Sequence, residues 1–209
     1  MSATETEGLR ERKKRETREA IAAAARALFV RHGYDAVTVA DVARAADVAE
    51  KTVFNYFPAK EDLVFRHRDD RFASLATALE LLPAGTPISR PFRDGTRAFL
   101  QRLVTEPVDE LIATPRLVIA SPTLRDRLFI LWEQDATALA PRIARALGRP
   151  SDDFVGGIVA RTLTGAHRQV FRTAIQRLIA GDDPRVVAAE LGEQAEAAYD
   201  LLDRGFASR

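Results

Sequence analysis

Between Lys51 and Phe57, two apolar residues four positions apart, Val53 and Phe57, mark one face of a helix and leave Lys51, Thr52 and Asn55 pointing outward. Those three side chains suit the reading of double-stranded DNA. Lysine reaches guanine acceptors or a phosphate, asparagine pairs through its carboxamide with adenine, and threonine serves either. Upstream, Thr38-Val39-Ala40-Asp41 has the spacing of a capping box, in which a hydroxyl caps a helix and an acid three residues on returns the bond. Earlier still, Arg10, Arg12, Lys13, Lys14, Arg15 and Arg18 are offset only by Glu11, Glu16 and Glu19. Alone, such a run reads equally as a solvated arm or as a phosphate-binding one. Its place directly before a DNA-reading segment favours the second.

Three helices must hold these groups. After a polar start of about nine residues, Ile21, Ala25, Leu28 and His32 share one helical face, and Gly33 supplies a left-handed residue to end that helix. Thr38 opens a short second helix carrying Val39, Val42, Ala43 and Ala46. Asp47-Val48 turns the chain into a third, from about Glu50 to Phe57, which Pro58 stops. A reading helix has to meet its support at a fixed angle, so the contact needs a small residue. Ala43 fits, with Val48 and Val53 filling the wedge. The turn position favours glycine; Asp47 tolerates the left-handed region better than most residues.

Downstream, a longer helix is expected from Lys60 to Leu82, broken by Pro83-Ala84-Gly85-Thr86-Pro87. Ser89, Thr114, Ser121 and Asp183 are N-cap candidates, three of them followed directly by proline. Leu124 to Leu147, Asp152 to Ile179 and Pro184 to about Phe206 give three long helices. With no strand alternation or internal repeat, the fold class is all-α with about nine helices. Residues 10–59 are expected to form the DNA-binding domain and residues 60–209 a ligand-binding and dimerisation domain. The last helix aligns Val187, Leu191, Ala195, Ala198 and Leu202 in an apolar stripe wide enough for a partner helix, here expected to be that of a second copy.

Composition narrows the field. With 46% hydrophobic residues the chain can bury a core, and a net charge of only +1 means that any attraction to DNA comes from local clustering. Cysteine is absent, which removes disulfides and thiolate metal sites and fits a reducing cytoplasm. No run of about eighteen apolar residues exists for a membrane span, and no signal peptide is read. His32, His67 and His167 lack metal-ligand spacing, no Gly-x-Ser-x-Gly elbow is present, and Gly156-Gly157 is not a phosphate loop. Neither a metal, a cofactor nor an enzyme activity is expected.

From Gly33-Tyr34-Asp35-Ala36-Val37-Thr38-Val39 through Thr52-Val53-Phe54-Asn55-Tyr56-Phe57-Pro58-Ala59-Lys60-Glu61-Asp62-Leu63, the chain resembles the N-terminal domain of the TetR family. The resemblance covers about residues 12 to 65. It implies a homodimeric, usually repressing regulator on a palindromic operator, with the last two long helices forming a four-helix dimer interface. By position it implies phosphate contacts from Thr38, Tyr56 and Lys60, and base or near-base contacts from Lys51, Thr52 and Asn55. Two positions depart from the family pattern. Phe54 stands where a phosphate-bonding tyrosine is common, and Ala49 where a capping serine is common.

Arg116-Leu117-Val118-Ile119, the stretch from Leu124 to Trp132, and Ala140-Pro141-Arg142-Ile143-Ala144 resemble an actinobacterial-style branch of the family, which implies an acyl-CoA-like effector. A pocket for such a molecule is mostly apolar with a few polar groups. Phe99, Phe129, Trp132, Phe154 and Phe171 are candidate walls, and Arg161 and His167 candidate polar groups. An alternative is a dimeric DNA-binding regulator with no small-molecule effector, controlled by a protein partner or by abundance.

Overall fold

The computed structural model describes residues 8–65 and 68–207, which are helical with no strand. Among the described residues nine α-helices run in the order α1 (Leu9–His32), α2 (Val39–Ala45), α3 (Glu50–Tyr56), α4 (Arg68–Glu80), α5 (Arg90–Thr105), α6 (Val108–Ala120), α7 (Pro122–Ala146), α8 (Phe154–Ala180) and α9 (Pro184–Ala207). The all-α expectation holds. Among the described residues no helix is long and apolar enough to cross a membrane.

The first core gathers Ile21, Ala25 and Phe29 of α1, Val42 and Ala43 of α2, Val53 of α3, and Phe57 just beyond it. His32, at the end of the expected α1 face, is instead exposed. Gly33 ends α1 with φ 81° as anticipated, but its ψ of 156° is extended rather than left-handed helical, sending the chain away instead of curling it back. The core does not stop at α3. Val118 of α6 and Leu124 of α7 are buried in it, so the corner between those helices docks on the three-helix unit. There the Ser121 hydroxyl donates to Asp35 Oδ1 at 3.1 Å, which is why Ser121 precedes α7 without capping it.

Two helix boundaries differ from expectation. The segment expected as one helix from Lys60 to Leu82 begins with a separate 3-10 turn, Lys60–Leu63, and α4 starts at Arg68. Asp62 accepts from the Ala59 amide at 3.0 Å and closes that turn. Leu63 is drawn into the first core, whereas Ala76 and Leu79 pack into a second, and the break lets the segment serve both. Thr114 is not an N-cap. Its helix opens six residues earlier behind Pro107, with Asp109 and Glu110 in the first turn where the helix dipole favours acids, and Pro115 lies inside it.

The apolar stripe of α9 is covered within the protomer rather than by a second copy. Val187, Leu191 and Ala195 are 0%, 5% and 5% exposed and belong to the protomer's own cores with residues of α5 and α8, while Ala198 is exposed. A helical stripe states that a face needs covering, not whose atoms cover it. Here α5 does, secured by ions: Arg93 donates to Glu196, Asp200 and Asp203 at 2.8, 2.7 and 2.8 Å, and to the Ser89 hydroxyl at 3.0 Å. Burial pulls the Arg93 pKa down, but the hydrogen bonds to Asp203, Asp200 and Glu196 outweigh it, and the guanidinium stays charged.

Candidate nucleic-acid interface

The α2–turn–α3 unit is built from local devices. Thr38 Oγ1 accepts from the Asp41 amide at 3.1 Å, and Asp41 Oδ2 accepts from the Thr38 amide at 3.0 Å and from the Thr38 hydroxyl at 2.6 Å. These bonds, the side-chain one foremost, hold the Asp41 carboxyl below the usual carboxylate range. The turn then needs a positive φ, and Asp47 adopts 53°; among the described residues it alone does so without being glycine. Its neighbour closes the corner, the Val48 amide donating to the Ala43 carbonyl at 3.0 Å. Ala43 is 3% exposed and Val53 1%, so the small-residue contact sits at the crossing of the two helices.

This packing turns one face of α3 outward. Lys51 and Asn55 are exposed and Thr52 is half-buried beside them. Phe54, at 47%, is also exposed on this face, an apolar group where the family pattern has a hydroxyl. Ala49 precedes the helix with no side-chain cap, as its type requires. Tyr56 is divided: half-buried, it packs against the first core yet keeps part of its surface in solvent.

Lys60 is placed differently from a free surface lysine. Its Nζ donates to the Tyr34 carbonyl at 2.7 Å and lies 4.0 Å from the centroid of the Tyr34 ring. Burial lowers the Lys60 pKa. Burial also raises that of Tyr34, whose hydroxyl bonds Glu61. The basic stretch is not an arm but the exposed first half of α1: Arg12 pairs with Glu16 at 3.7 Å and Arg15 with Glu19 at 3.5 Å, while Lys13 and Lys14 are exposed.

In the helical bundle beyond, four of the candidate ligand residues lie on inward or seam-facing positions. Phe99 and Phe171 pack with ring centroids 5.0 Å apart, His167 Nδ1 lies 2.9 Å from the Thr96 hydroxyl, and Trp132 stacks under Arg168. Phe129 and Phe154, expected as walls, are 60% and 80% exposed on outer surfaces of α7 and α8. Arg161 is likewise exposed, its guanidinium paired with Glu133 of α7 at 3.4 Å rather than turned into the bundle. Sequence reasoning passed over Thr96, Tyr199 and Arg168. Thr96 and Tyr199 join hydroxyls at 3.0 Å and are 2% and 1% exposed. Two hydroxyl residues on separate helices carry no local signal of meeting.

Comparison with known proteins agrees with this geometry. Residues 21–66 match the family model for bacterial regulatory proteins of the tetR family. The HTH-type transcriptional regulator TcmR of Streptomyces glaucescens is 33% identical over 151 residues, covering 70% of this chain and 67% of its own. The regulator MftR of Mycobacterium tuberculosis is 26% identical over 181 residues, 85% of each chain. Among solved structures, the SmeT–triclosan complex superposes with a TM-score of 0.58 at 20% identity, covering 88% of this chain and 91% of that one. NalD, the secondary repressor of the MexAB-OprM efflux pump in Pseudomonas aeruginosa, gives 0.56 at 20% identity over 90% and 97% of the two chains. At these identities the structural likeness is one of fold.

Proposed function

The chain belongs to the TetR family of bacterial regulatory proteins, DNA-binding transcriptional regulators rather than enzymes, and we propose that it is a cytoplasmic homodimeric repressor released from a palindromic operator by a small effector. The observation that carries the reading is the exposed Lys51–Thr52–Asn55 face of α3, presented by a turn whose cap, positive φ and small-residue crossing are all in place. In this reading Lys51, Thr52 and Asn55 touch base edges, while Thr38, Tyr56, Lys60 and the Arg12–Arg15 stretch meet phosphates. Lys60 then acts from its seat on Tyr34, with two further ammonium hydrogens left to donate.

Residues 10–59 would serve as the DNA-binding domain and residues 60–209 as the ligand-binding and dimerisation domain. The division is one of role, since the α6–α7 corner packs into the first core. Two copies would meet through outer faces of α8 and α9, where α9 exposes Val186 and Leu201 at 48% and 64% beside the small residues Ala189 and Ala197. The effector is taken as apolar or acyl-CoA-like, a class supported by the pairing of Phe99 with Phe171 in the bundle.

Footprinting of the purified protein on genomic DNA tests the core of this proposal. A near-palindrome with half-site centres about one helical turn apart, or a small multiple, is expected. Repeated asymmetric single half-sites would overturn it.

A further inference from the structure

The segment that carries α2 and α3 is held at both of its ends by one corner of the helical bundle. On the entry side Asp35 precedes the Thr38 cap, and its Oδ1 accepts from the Ser121 hydroxyl at 3.1 Å. On the exit side Asp62 follows Phe57, and its Oδ1 accepts from Arg127 Nη2 at 2.9 Å. Ser121 lies between α6 and α7 and Arg127 on α7, so both donors belong to the α6–α7 corner. Entry and exit are also joined to each other, since Lys60 Nζ donates to the Tyr34 carbonyl at 2.7 Å. The Ala59 amide, bound to the other oxygen of Asp62 at 3.0 Å, fixes the exit carboxylate in turn.

Apolar burial and hydrogen bonds contribute differently to this joint. Val118 and Leu124 are 8% and 0% exposed in the first core, with Leu117 and Leu128 packed against it. Such contacts press the corner onto the three-helix unit but are non-directional, and a small rotation keeps most of them. A hydrogen bond instead weakens steeply once donor and acceptor leave their line. Two of them at opposite ends of one segment confine rotation to the line that joins them. The wedge of Val118 and Leu124 opposes that remaining motion.

Orientation matters because of what α3 reads. When two copies share one operator, each reading helix must meet its own half-site, and DNA turns by about a tenth of a revolution per base pair. A reading helix free to pivot accepts several half-site separations, and a fixed one accepts few. On the homodimer and palindrome reading above, we infer that Ser121 and Arg127 are positioning residues for operator recognition: touching no base themselves, they fix the orientation of α3 and so select the spacing between half-sites.

The test uses full-length protein and duplexes made from the footprinted operator. Its centre is lengthened or shortened by one and two base pairs, and a further duplex holds a single half-site. Wild type should bind the native spacing far more tightly than the altered ones. Ser121→Ala combined with Arg127→Gln should shrink that preference by on the order of tenfold, the leverage of two hydrogen bonds. Affinity for the single half-site should stay unchanged. Arg127→Lys, which keeps the charge and a donor, should retain part of the preference. Circular dichroism checks folding, and each single substitution, with a smaller shift in the same direction, serves if the double variant does not fold. An unchanged spacing preference in the folded variants overturns the inference and leaves DNA reading standing. Weaker binding to the single half-site overturns it too, because the ties would then build the reading unit rather than aim it. Footprints confined to single half-sites overturn the homodimer reading and the inference together.

Discussion

Arg127 of α7 donates from Nη2 to Asp62 Oδ1 at 2.9 Å, and the other oxygen of that carboxylate receives the Ala59 amide at 3.0 Å. Asp62 thus ties the residue just past the reading helix to α7, the helix that leaves the α6–α7 corner. The pair is neither buried nor free, with side chains 31% and 24% exposed. Arg127→Ala should cost about 1–2 kcal/mol, the loss of a charged hydrogen bond discounted for solvent access. A double-mutant cycle with Asp62→Asn in chemical denaturation checks it. Strict additivity would mean that the two residues do not act as a pair.

Positioning and reading are separable on DNA. Asn55→Ala should relax preference at one base pair, costing roughly 1–3 kcal/mol at the favoured base and little on random sequence. Neutralising Lys13 and Lys14 should weaken all sequences alike and flatten the dependence of affinity on salt. Equal effects of both changes on specific and random duplexes would refute the assignment of roles.

The capping box predicts a pH response. Because the Thr38 bonds depress the Asp41 pKa, the stabilisation is present above the unfolded carboxylate's pKa and is lost as pH falls through the lower folded value. Wild-type protein should therefore lose stability below about pH 4, and Asp41→Asn should show less of that fall. Thr38→Ala, which removes the cap itself, should cost on the order of 1 kcal/mol at neutral pH. An unchanged thermal midpoint in Thr38→Ala would show the box to be dispensable.

At the α7–α8 seam, Gly156→Ala should destabilise by about 1–3 kcal/mol, because the new methyl meets backbone as well as side chain and the helices must part. Denaturant melts measure this directly. Wild-type stability in the alanine variant would mean that the seam is looser than its 2.7 Å approaches indicate.

Assembly gives contrasting outcomes on one helix. Leu191→Glu places a charge in the protomer's own core and should give unfolded or insoluble protein. Leu201→Glu changes a residue 64% exposed on the outer side and should give folded monomers with weakened operator binding. Light scattering and circular dichroism distinguish them. A Leu201→Glu protein that remains a full-strength dimer would move the interface off this part of α9.

The reading unit was legible before any coordinates because each of its devices is local. The Thr38–Asp41 box, the aspartate at the turn, the small residue at position 43 and the Val53–Phe57 spacing act across a few residues, and backbone stereochemistry decides each of them. Beyond α3 the determining contacts join residues far apart in the chain. Periodicity told that Val187, Leu191 and Ala195 need covering, but α5 and a second protomer satisfy that need equally until the chain is folded. The same limit promoted Arg161: its type and place on an amphipathic helix suggested a pocket, and only the fold puts Glu133 of α7 beside it at the surface.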